Sequence, residues 1–290
     1  MNINPVLLKE LKVKMRGWRA AGIITVYLGI LALVAVFFLM TAASDIYTSI
    51  VNPELAMGSY SLLAIFQFAL ILFIVPALTA GAISGEREKQ TLDLLLSTSM
   101  STLSIIIGKL FASLSHIILL IVASLPIFSM IFMFGGISLV ELLQLLGFYI
   151  ATSIMIGSIG IFFSTYFKRT TVANVLTYGA VAFLTLGTIF LTLFYFEVVL
   201  HRWDRNVVSY IMYSNPITGF SSVLLEQLGR SGFDFLPGVY YNNTNNFLMI
   251  PWVINIAFDL VFSIFLIWLS AIKLNPLKHK GFRRKNTRKV

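Results

Sequence analysis

Few residues in this sequence have the type and spacing that catalysis requires. The three histidines, His116, His201 and His279, lie on different predicted segments, too widely spread for a metal site. Neither an H-E-x-x-H nor a G-x-S-x-G motif is present. Gly108-Lys109 lacks the upstream glycine and the following serine or threonine of a phosphate-binding loop. The sequence therefore predicts neither a catalytic site nor a nucleotide site, and this chain is not expected to be an enzyme.

A short charged segment, GEREKQTLDLLLSTSMS at residues 85–101, interrupts two long apolar stretches. Residues 55–85 and 110–140 contain no Asp, Glu, Lys or Arg. Within the charged segment, one face at helical spacing comprises Leu92, Leu95, Leu96 and Ser99, and the other side comprises Glu86, Lys89, Gln90 and Asp93. This pattern predicts a helix of roughly 12 residues that rests its leucines on other helices and shows its charges to water or a docked protein. A solvated loop without a function is the alternative.

Composition indicates the elements that hold this segment. The chain is 58% hydrophobic and 11% charged, whereas about 25% of the residues in a soluble domain are charged. Six apolar stretches are long enough to cross a bilayer: about 21–42, 60–83, 104–134, 139–166, 171–196 and 250–272. Because lipid offers no hydrogen bonds to the backbone, these stretches should be helices. The predicted fold class is an all-α polytopic membrane protein with six transmembrane helices.

The distribution of positive charge predicts the orientation. With the N-terminus inside, 18 of the 21 lysines and arginines face the cytoplasm, and only Arg202, Arg205 and Arg230 lie outside. Both termini and the charged segment are therefore expected in the cytoplasm, and the net charge of +9 should favour contact with anionic lipid rather than nucleic acid. The absence of cysteine is typical of a prokaryotic chain, so the predicted location is the cell membrane of a prokaryote.

Residues 1–20 should form a cytoplasmic amphipathic helix at the membrane interface. Apolar side chains from Leu7 to Trp18 recur on one helical face, and the cations of the opposite face are Lys9, Lys12, Arg16 and Arg19. Trp18 is expected at headgroup level. An ordinary basic segment beside the first span is the alternative. This basic segment and the length of the apolar run behind it argue against a cleaved signal peptide.

The expected membrane domain of six spans covers residues 21–273, and a basic cytoplasmic tail covers 274–290. Residues 197–249 form the long extracellular insertion between spans five and six. Within it, Asn215 and Pro216 should start a helix that Gly229 ends. At that length the helix cannot span, so it should be re-entrant or lie on the outer end of the bundle.

Asp259 is the only acidic residue placed well inside a predicted span. A mid-bilayer Asp costs about 2.5–3.5 kcal/mol to insert, so it should face protein or water. It could contact a substrate or a proton, or simply make a packing hydrogen bond. Single polar residues in other spans, such as Gln67 and Asn174, are typical of interhelical hydrogen bonds.

The charged segment resembles the coupling-helix motif in permeases of type-2 ATP-binding-cassette exporters. The resemblance is carried by Gly85-Glu86-Arg87-Glu88, Thr91-Leu92-Asp93 and Leu95-Leu96, followed by Gly108-Lys109. The family often has a proline after the leucines, where this chain has Ser99. The basic N-terminal helix, the six spans and the outer insertion are also similar to that family.

The resemblance implies that two permease protomers work with two cytoplasmic ATPase subunits, which bind the ATP and Mg. The second protomer could be identical or homologous. The residues implied in coupling are Glu86, Arg87, Glu88, Thr91, Leu92, Asp93, Leu95 and Leu96. In this view the three charges dock on the ATPase, while the leucines pass its movement to spans two and three.

Spans two and five would line the translocation path. The implied path residues are Gln67, Phe68, Asn174 and Tyr178, to which the buried Asp259 is added as a candidate. The expected activity is export of an amphiphilic or lipid-like substrate or an antibiotic. A self-contained carrier or channel, or a membrane anchor or sensor without transport, remains the alternative.

Overall fold

The computed structural model describes residues 18–44, 53–97, 100–132, 137–200, 210–228 and 251–275. Helices form nearly all of this described part, and it contains no β-strand. The all-α prediction is therefore confirmed for the described residues. Of the interfacial helix expected at residues 1–20, residues 1–17 lie outside the described part, and the remaining residues begin the first helix at Trp18. Of the basic tail expected at 274–290, the residues from 276 onward lie outside it.

The helices follow the apolar stretches of the sequence. In chain order they are α1 (Trp18–Ser44), α2 (Pro53–Thr79), α3 (Ser84–Glu88), α4 (Leu92–Leu96), α5 (Thr102–Phe132), α6 (Leu139–Tyr166), α7 (Thr170–Ala182), α8 (Thr188–Phe194), α9 (Pro216–Leu228) and α10 (Pro251–Leu274). Ser138 starts α6 with a capping box, since its hydroxyl accepts from the Glu141 N–H while the Glu141 carboxylate accepts from the Ser138 N–H.

Five described stretches are long and apolar enough to cross a membrane. They are Met57–Glu88, Thr102–Met130, Leu139–Tyr166, Thr170–Phe194 and Pro251–Leu274. A further apolar stretch, Gly22–Phe37 in α1, is shorter. The structure thus has five such helices among its described residues, and the remaining predicted span, 21–42, corresponds to the shorter apolar stretch in α1.

Large apolar side chains cover the outside of these helices. Leu33 on α1 is 72% exposed, Phe73 on α2 is 68% exposed and Val261 on α10 is 67% exposed. A soluble monomer rarely shows so much contiguous apolar surface, so lipid or another protein must cover it.

α6 is the central helix of the bundle. It packs against α2, α5, α7, α9 and α10, and its most extensive interface is with α10. Small residues on α6 allow this crowding: a Cβ at Gly160 would overlap the Thr79 hydroxyl and lie 3.1 Å from the Ala80 nitrogen. The carboxyl-terminal ends of α2 and α6 therefore meet at a distance that only glycine at position 160 permits.

The helix predicted inside the extracellular insertion is present as α9. Asn215 caps it as expected, because its Oδ1 accepts from the Ile217 N–H at 2.8 Å. Most of α9 is buried, and Phe220 stacks on Phe68 with ring centroids 4.4 Å apart. α9 thus packs into the bundle rather than lying on its surface, while residues 201–209 and 229–250 of the insertion lie outside the described part.

The membrane stretch Thr170–Phe194 is irregular. After α7 the backbone passes through a π-helical stretch (Phe183–Gly187), then α8, then a second π-helical stretch (Tyr195–Leu200). The amide of Asn215 donates to the Thr185 carbonyl and to the Thr188 hydroxyl, both at 2.8 Å. The side chain of Asn215 therefore fastens α9 to the irregular part of this helix.

Candidate functional site

The charged segment forms two short helices joined by a turn, and we call residues 80–97 the elbow. The single helix of roughly 12 residues predicted from the sequence is wrong: α3 ends at Glu88 and α4 begins at Leu92. The helix breaks at Gln90, whose φ of 57° is left-handed. The N–H of Gln90 donates to the Arg87 carbonyl and that of Thr91 donates to the Glu86 carbonyl. These two bonds make the helix-ending motif that usually has glycine at the left-handed position.

The leucines of the elbow divide between the bundle and the surface. Leu92 is buried, and Leu95 and Leu96 are partly buried against the core, which confirms the predicted inward leucine face. Leu94 points outward and is 75% exposed. The sequence reasoning overlooked Leu94, although its position off the leucine stripe was a signal for exposure. Ser99, the last residue of the predicted face, lies outside the described residues.

The exposed residues that precede Leu94 in the elbow are polar. Lys89, Gln90, Thr91 and Asp93 are all exposed. The elbow therefore presents one large apolar side chain within a polar, mixed-charge surface, an arrangement found at protein–protein contacts.

Glu86 contacts Lys109 on α5. Its Oε1 accepts from the Lys109 ammonium at 3.1 Å, and Lys109 is almost fully buried on α5. The Thr91 hydroxyl also donates to the Glu86 carboxylate. A buried lysine needs such a partner, so this ion pair joins α3 to α5.

Arg87 reaches the carboxyl end of α6. Its Nη1 donates to the Phe167 carbonyl and its Nη2 donates to the Thr165 carbonyl, both at 3.2 Å. Carbonyls at a helix end have no partner within the helix and carry partial negative charge, so the guanidinium satisfies and neutralises this end.

Glu88 reaches the amino end of α7. Its Oε1 accepts from the Thr170 N–H at 2.7 Å, and its Oε2 accepts from the Thr170 hydroxyl at 2.9 Å. Arg169, at the N-cap position of α7, makes no side-chain cap. The carboxylate of Glu88 therefore caps a helix that begins 82 residues later in the chain.

A serine hydroxyl binds the backbone where α3 begins. Ser164 Oγ on α6 accepts from the N–H groups of Ile83 and Ser84, at 2.8 and 2.9 Å. Sequence reasoning missed Ser164, Thr165, Phe167 and Thr170 as partners of the elbow. The spacing Gly160-x-x-x-Ser164 was an available signal, because small residues four apart allow close approach of helices.

The candidate path residues occupy two different environments. Gln67 is fully buried and accepts from the Ser124 hydroxyl at 3.0 Å, while Phe68 is buried in the stack with Phe220. Both side chains thus lie inside the helical bundle. Asn174 and Tyr178 on α7 are only partly buried, and the Tyr178 hydroxyl donates to the Phe73 carbonyl at 2.8 Å.

Asp259 is fully buried on α10, where α10 packs against α6. Among the described residues, neither of its carboxylate oxygens has a hydrogen-bond partner within bonding distance. The side chain of Thr152 on α6 is its polar neighbour. The described part of the chain also contains no group of three His, Cys, Asp or Glu side chains able to hold a metal ion.

Comparison with known proteins places these features in a family. No curated protein matches the chain. A family model described as "ABC-2 family transporter protein" matches residues 44–272. This match covers most of the sequence, including every described helix from α2 to α9 and nearly all of α10. The chain therefore belongs to the ABC-2 transporter family, and it is a multi-pass membrane protein of the permease type.

Proposed function

We propose that this chain is the permease subunit of an ATP-binding-cassette exporter in the cell membrane of a prokaryote. Two separate cytoplasmic ATPase subunits bind and hydrolyse ATP with Mg, and their movement reaches the permease through the elbow. The observation that carries this proposal is the exposed Leu94, held out from the bundle by the packed leucines Leu92 and Leu95.

Leu94 has the environment of a binding anchor. Protein interfaces gain most of their affinity from a few apolar or aromatic side chains that lose water at the centre of the contact. Lys89 and Asp93, which precede Leu94 in the elbow, are exposed and of opposite charge, and they would set the orientation of a partner. In the proposed complex the ATPase receives Leu94 in an apolar depression.

The cytoplasmic position of the elbow follows from the charge distribution. Six membrane spans, with α1 as the first, place both termini and the elbow on the side that receives most of the lysines and arginines. An ATPase in the cytoplasm can reach the elbow only in this orientation.

A second permease protomer is proposed to cover α2 and α7. These helices lie side by side, joined by the bond from Tyr178 to the Phe73 carbonyl. Phe73 and Val175 are 68% and 65% exposed. A path between two such faces would be mainly apolar, with Asn174 and Tyr178 as its polar groups. This composition favours an amphiphilic or lipid-like substrate, and Asp259 is a further candidate contact deeper in the protomer.

Complex formation with an ATPase tests the proposal. The chain would be co-expressed with its native ATPase, purified in nanodiscs and assayed for binding and for vanadate-sensitive ATP hydrolysis. Leu94→Asp is expected to weaken ATPase binding at least ten-fold, or about 1.4 kcal/mol. Leu139→Asp is the matched control, since Leu139 is also exposed but begins α6 at the opposite end of the bundle.

Either of two results would contradict the proposed function. The wild-type chain could fail to bind any ATPase. Alternatively, Leu139→Asp could weaken binding as much as Leu94→Asp, which would mean that the effect does not arise at the elbow.

A further inference from the structure

We propose that Glu86, Arg87 and Glu88 are positioning residues that clamp the elbow to three membrane helices, rather than contacts to the ATPase. This inference rests on the proposed function, because the clamp is the route by which ATPase movement would enter the bundle. It reassigns the three charges that the sequence motif alone suggests as docking residues.

The directions of the three side chains support this assignment. Consecutive residues of a helix project about 100° apart, so three in a row can reach three different neighbours. Glu86 pairs with Lys109 of α5, Arg87 bonds the end of α6, and Glu88 bonds the start of α7. The charged groups of α3 thus have partners within the protomer.

Arg87 and Glu88 together hold the connection between α6 and α7. This connection is only three residues long, Phe167–Arg169. Arg87 binds carbonyls before and within it, and Glu88 binds the first residue after it. Each charge matches the helix end it meets: a cation meets the carboxyl end of α6 and an anion meets the amino end of α7. Exchanging the two residues would place both charges at helix ends of the wrong sign.

Two sets of residues in the elbow therefore have different roles. Leu94 and its exposed neighbours are available to the ATPase, while the three charges transmit displacement of α3 to α5, α6 and α7. α2 is joined to α3 directly through the chain. One small movement of the elbow would therefore reach four membrane helices together, whereas a leucine face alone would act only on its immediate neighbours.

Local mobility in the permease alone tests the clamp without any ATPase. The chain has no native cysteine, so Lys168→Cys places a single spin label in the exposed connection between α6 and α7. We expect Arg87→Ala and Glu88→Ala to increase the mobility of this label in nanodiscs, with Glu88→Gln intermediate because it keeps an acceptor oxygen. Thr170→Ala should also increase mobility, since it removes one of the two bonds to Glu88.

Thr171→Ala is the matched control, because Thr171 is the exposed neighbour of Thr170, whereas both hydrogen bonds to the Glu88 carboxylate come from Thr170. Its label should keep the wild-type mobility. The clamp would be disproved if Arg87→Ala and Glu88→Ala also kept the wild-type mobility of the label in correctly folded protein, as judged by gel filtration and thermal midpoint. If an alanine variant unfolded, label mobility would be compared in Glu88→Gln and Thr170→Ala instead.

The assembled complex separates coupling from docking. With ATPase bound, ATP and vanadate should change the signal of the Lys168→Cys label in the wild-type and Thr171→Ala backgrounds. Arg87→Ala and Glu88→Ala should bind the ATPase with a Kd within two-fold of wild type, yet lose most of this ATP-dependent change.

A loss of ATPase binding in the Arg87→Ala and Glu88→Ala variants, similar to that of Leu94→Asp, would overturn the inference in favour of docking charges. Failure of the wild-type chain to bind any ATPase would refute the proposed function. The mobility measurement on the permease alone would still decide whether the clamp exists.

Discussion

Gln90 divides the elbow into two helices, although its residue type gives no sign of it. Glutamine is a good helix former, so its presence favours continuation of a helix. The left-handed conformation observed at Gln90 costs a non-glycine residue about 1–2 kcal/mol. The two bonds made by the N–H groups of Gln90 and Thr91, together with the packing of Leu92, hold the turn against that cost.

Substitution of Gln90 tests the conformation of this turn. Gln90→Gly should leave the stability unchanged or raise it, because glycine adopts a positive φ without strain. Gln90→Val should lower the free energy of unfolding by about 1–2 kcal/mol, because a β-branched side chain resists this conformation. The free energies would be measured by reversible unfolding in mixed micelles. Lys89→Val, at an exposed site with a φ of −80°, should have little effect and is the control. Equal losses of unfolding free energy in Gln90→Gly and Gln90→Val would contradict the left-handed conformation at Gln90.

Gly160 controls how closely α2 and α6 approach beside the elbow. Gly160→Ala should lower the free energy of unfolding by about 1–3 kcal/mol, because its Cβ would overlap Thr79 and force the helices apart. Gly147→Ala on the same helix is the control, since a Cβ there meets no atom within 4 Å. Thermal midpoints of the two variants in one detergent would be compared, and similar values for both would show that the helices do not meet at Gly160.

At the scale of elements, Asn215 is one of the residues that join the buried α9 to its neighbours. Its side chain caps α9 and donates to the Thr185 carbonyl and the Thr188 hydroxyl in the irregular stretch Thr170–Phe194. Its backbone carbonyl accepts from the Asn255 amide on α10 at 3.1 Å. π-helical stretches frequently occur at functional sites. The carboxyl-terminal half of the stretch Thr170–Phe194 is therefore linked to α9 and α10, while its amino end is linked to the elbow through Glu88.

Removal of the Asn215 side chain should loosen this outer assembly. Asn215→Ala loses a helix cap and two buried hydrogen bonds, which we expect to lower the free energy of unfolding by about 2–3 kcal/mol. Ser214→Ala is the adjacent control, because the Ser214 hydroxyl bonds only the nearby Ile211 carbonyl. Hydrogen exchange of α9 amides would report the effect directly, and unchanged protection of α9 in Asn215→Ala would contradict the linking role.

At the scale of the whole molecule, the distribution of lysine and arginine predicts the orientation in the membrane. The exposed apolar side chains make the fold depend on lipid as its solvent. Basic residues concentrate in the segments that six spans would place on one side of the membrane. Among the described residues, α1, α2 and α10 expose many large apolar side chains. The charge distribution predicts that the end of the bundle carrying the elbow faces the cytoplasm.

Cysteine labelling measures the orientation, because the native sequence contains no cysteine. In intact cells, a membrane-impermeant maleimide should label Leu139→Cys at the outer end of α6. It should label Leu94→Cys only after permeabilisation. Both leucines are more than 60% exposed, so neither thiol would be buried within the bundle. Labelling of Leu94→Cys in intact cells would show that the elbow faces outward and would exclude contact with a cytoplasmic ATPase.

The sequence by itself determined the membrane helices, the position of the elbow and the start of α9. Long apolar runs form helices in lipid whatever surrounds them, because each backbone group must be satisfied within its own segment. The motif from Gly85 to Leu96 likewise identified the segment that is unlike the rest of the chain. These features depend on each residue's interaction with solvent or with its neighbours in sequence.

Only the tertiary structure decided what the charged residues contact. The partners of Arg87 and Glu88 lie about 80 residues away in the sequence, and all but the Thr170 hydroxyl are backbone groups at helix ends. Backbone groups occur throughout the chain, so no side-chain pattern marks them. They become partners because α2 and α6 cross closely at Gly160, which brings the start of α3 against the connection between α6 and α7. The same packing of helix ends, which no local pattern encodes, leaves Leu94 as the large exposed side chain of the elbow.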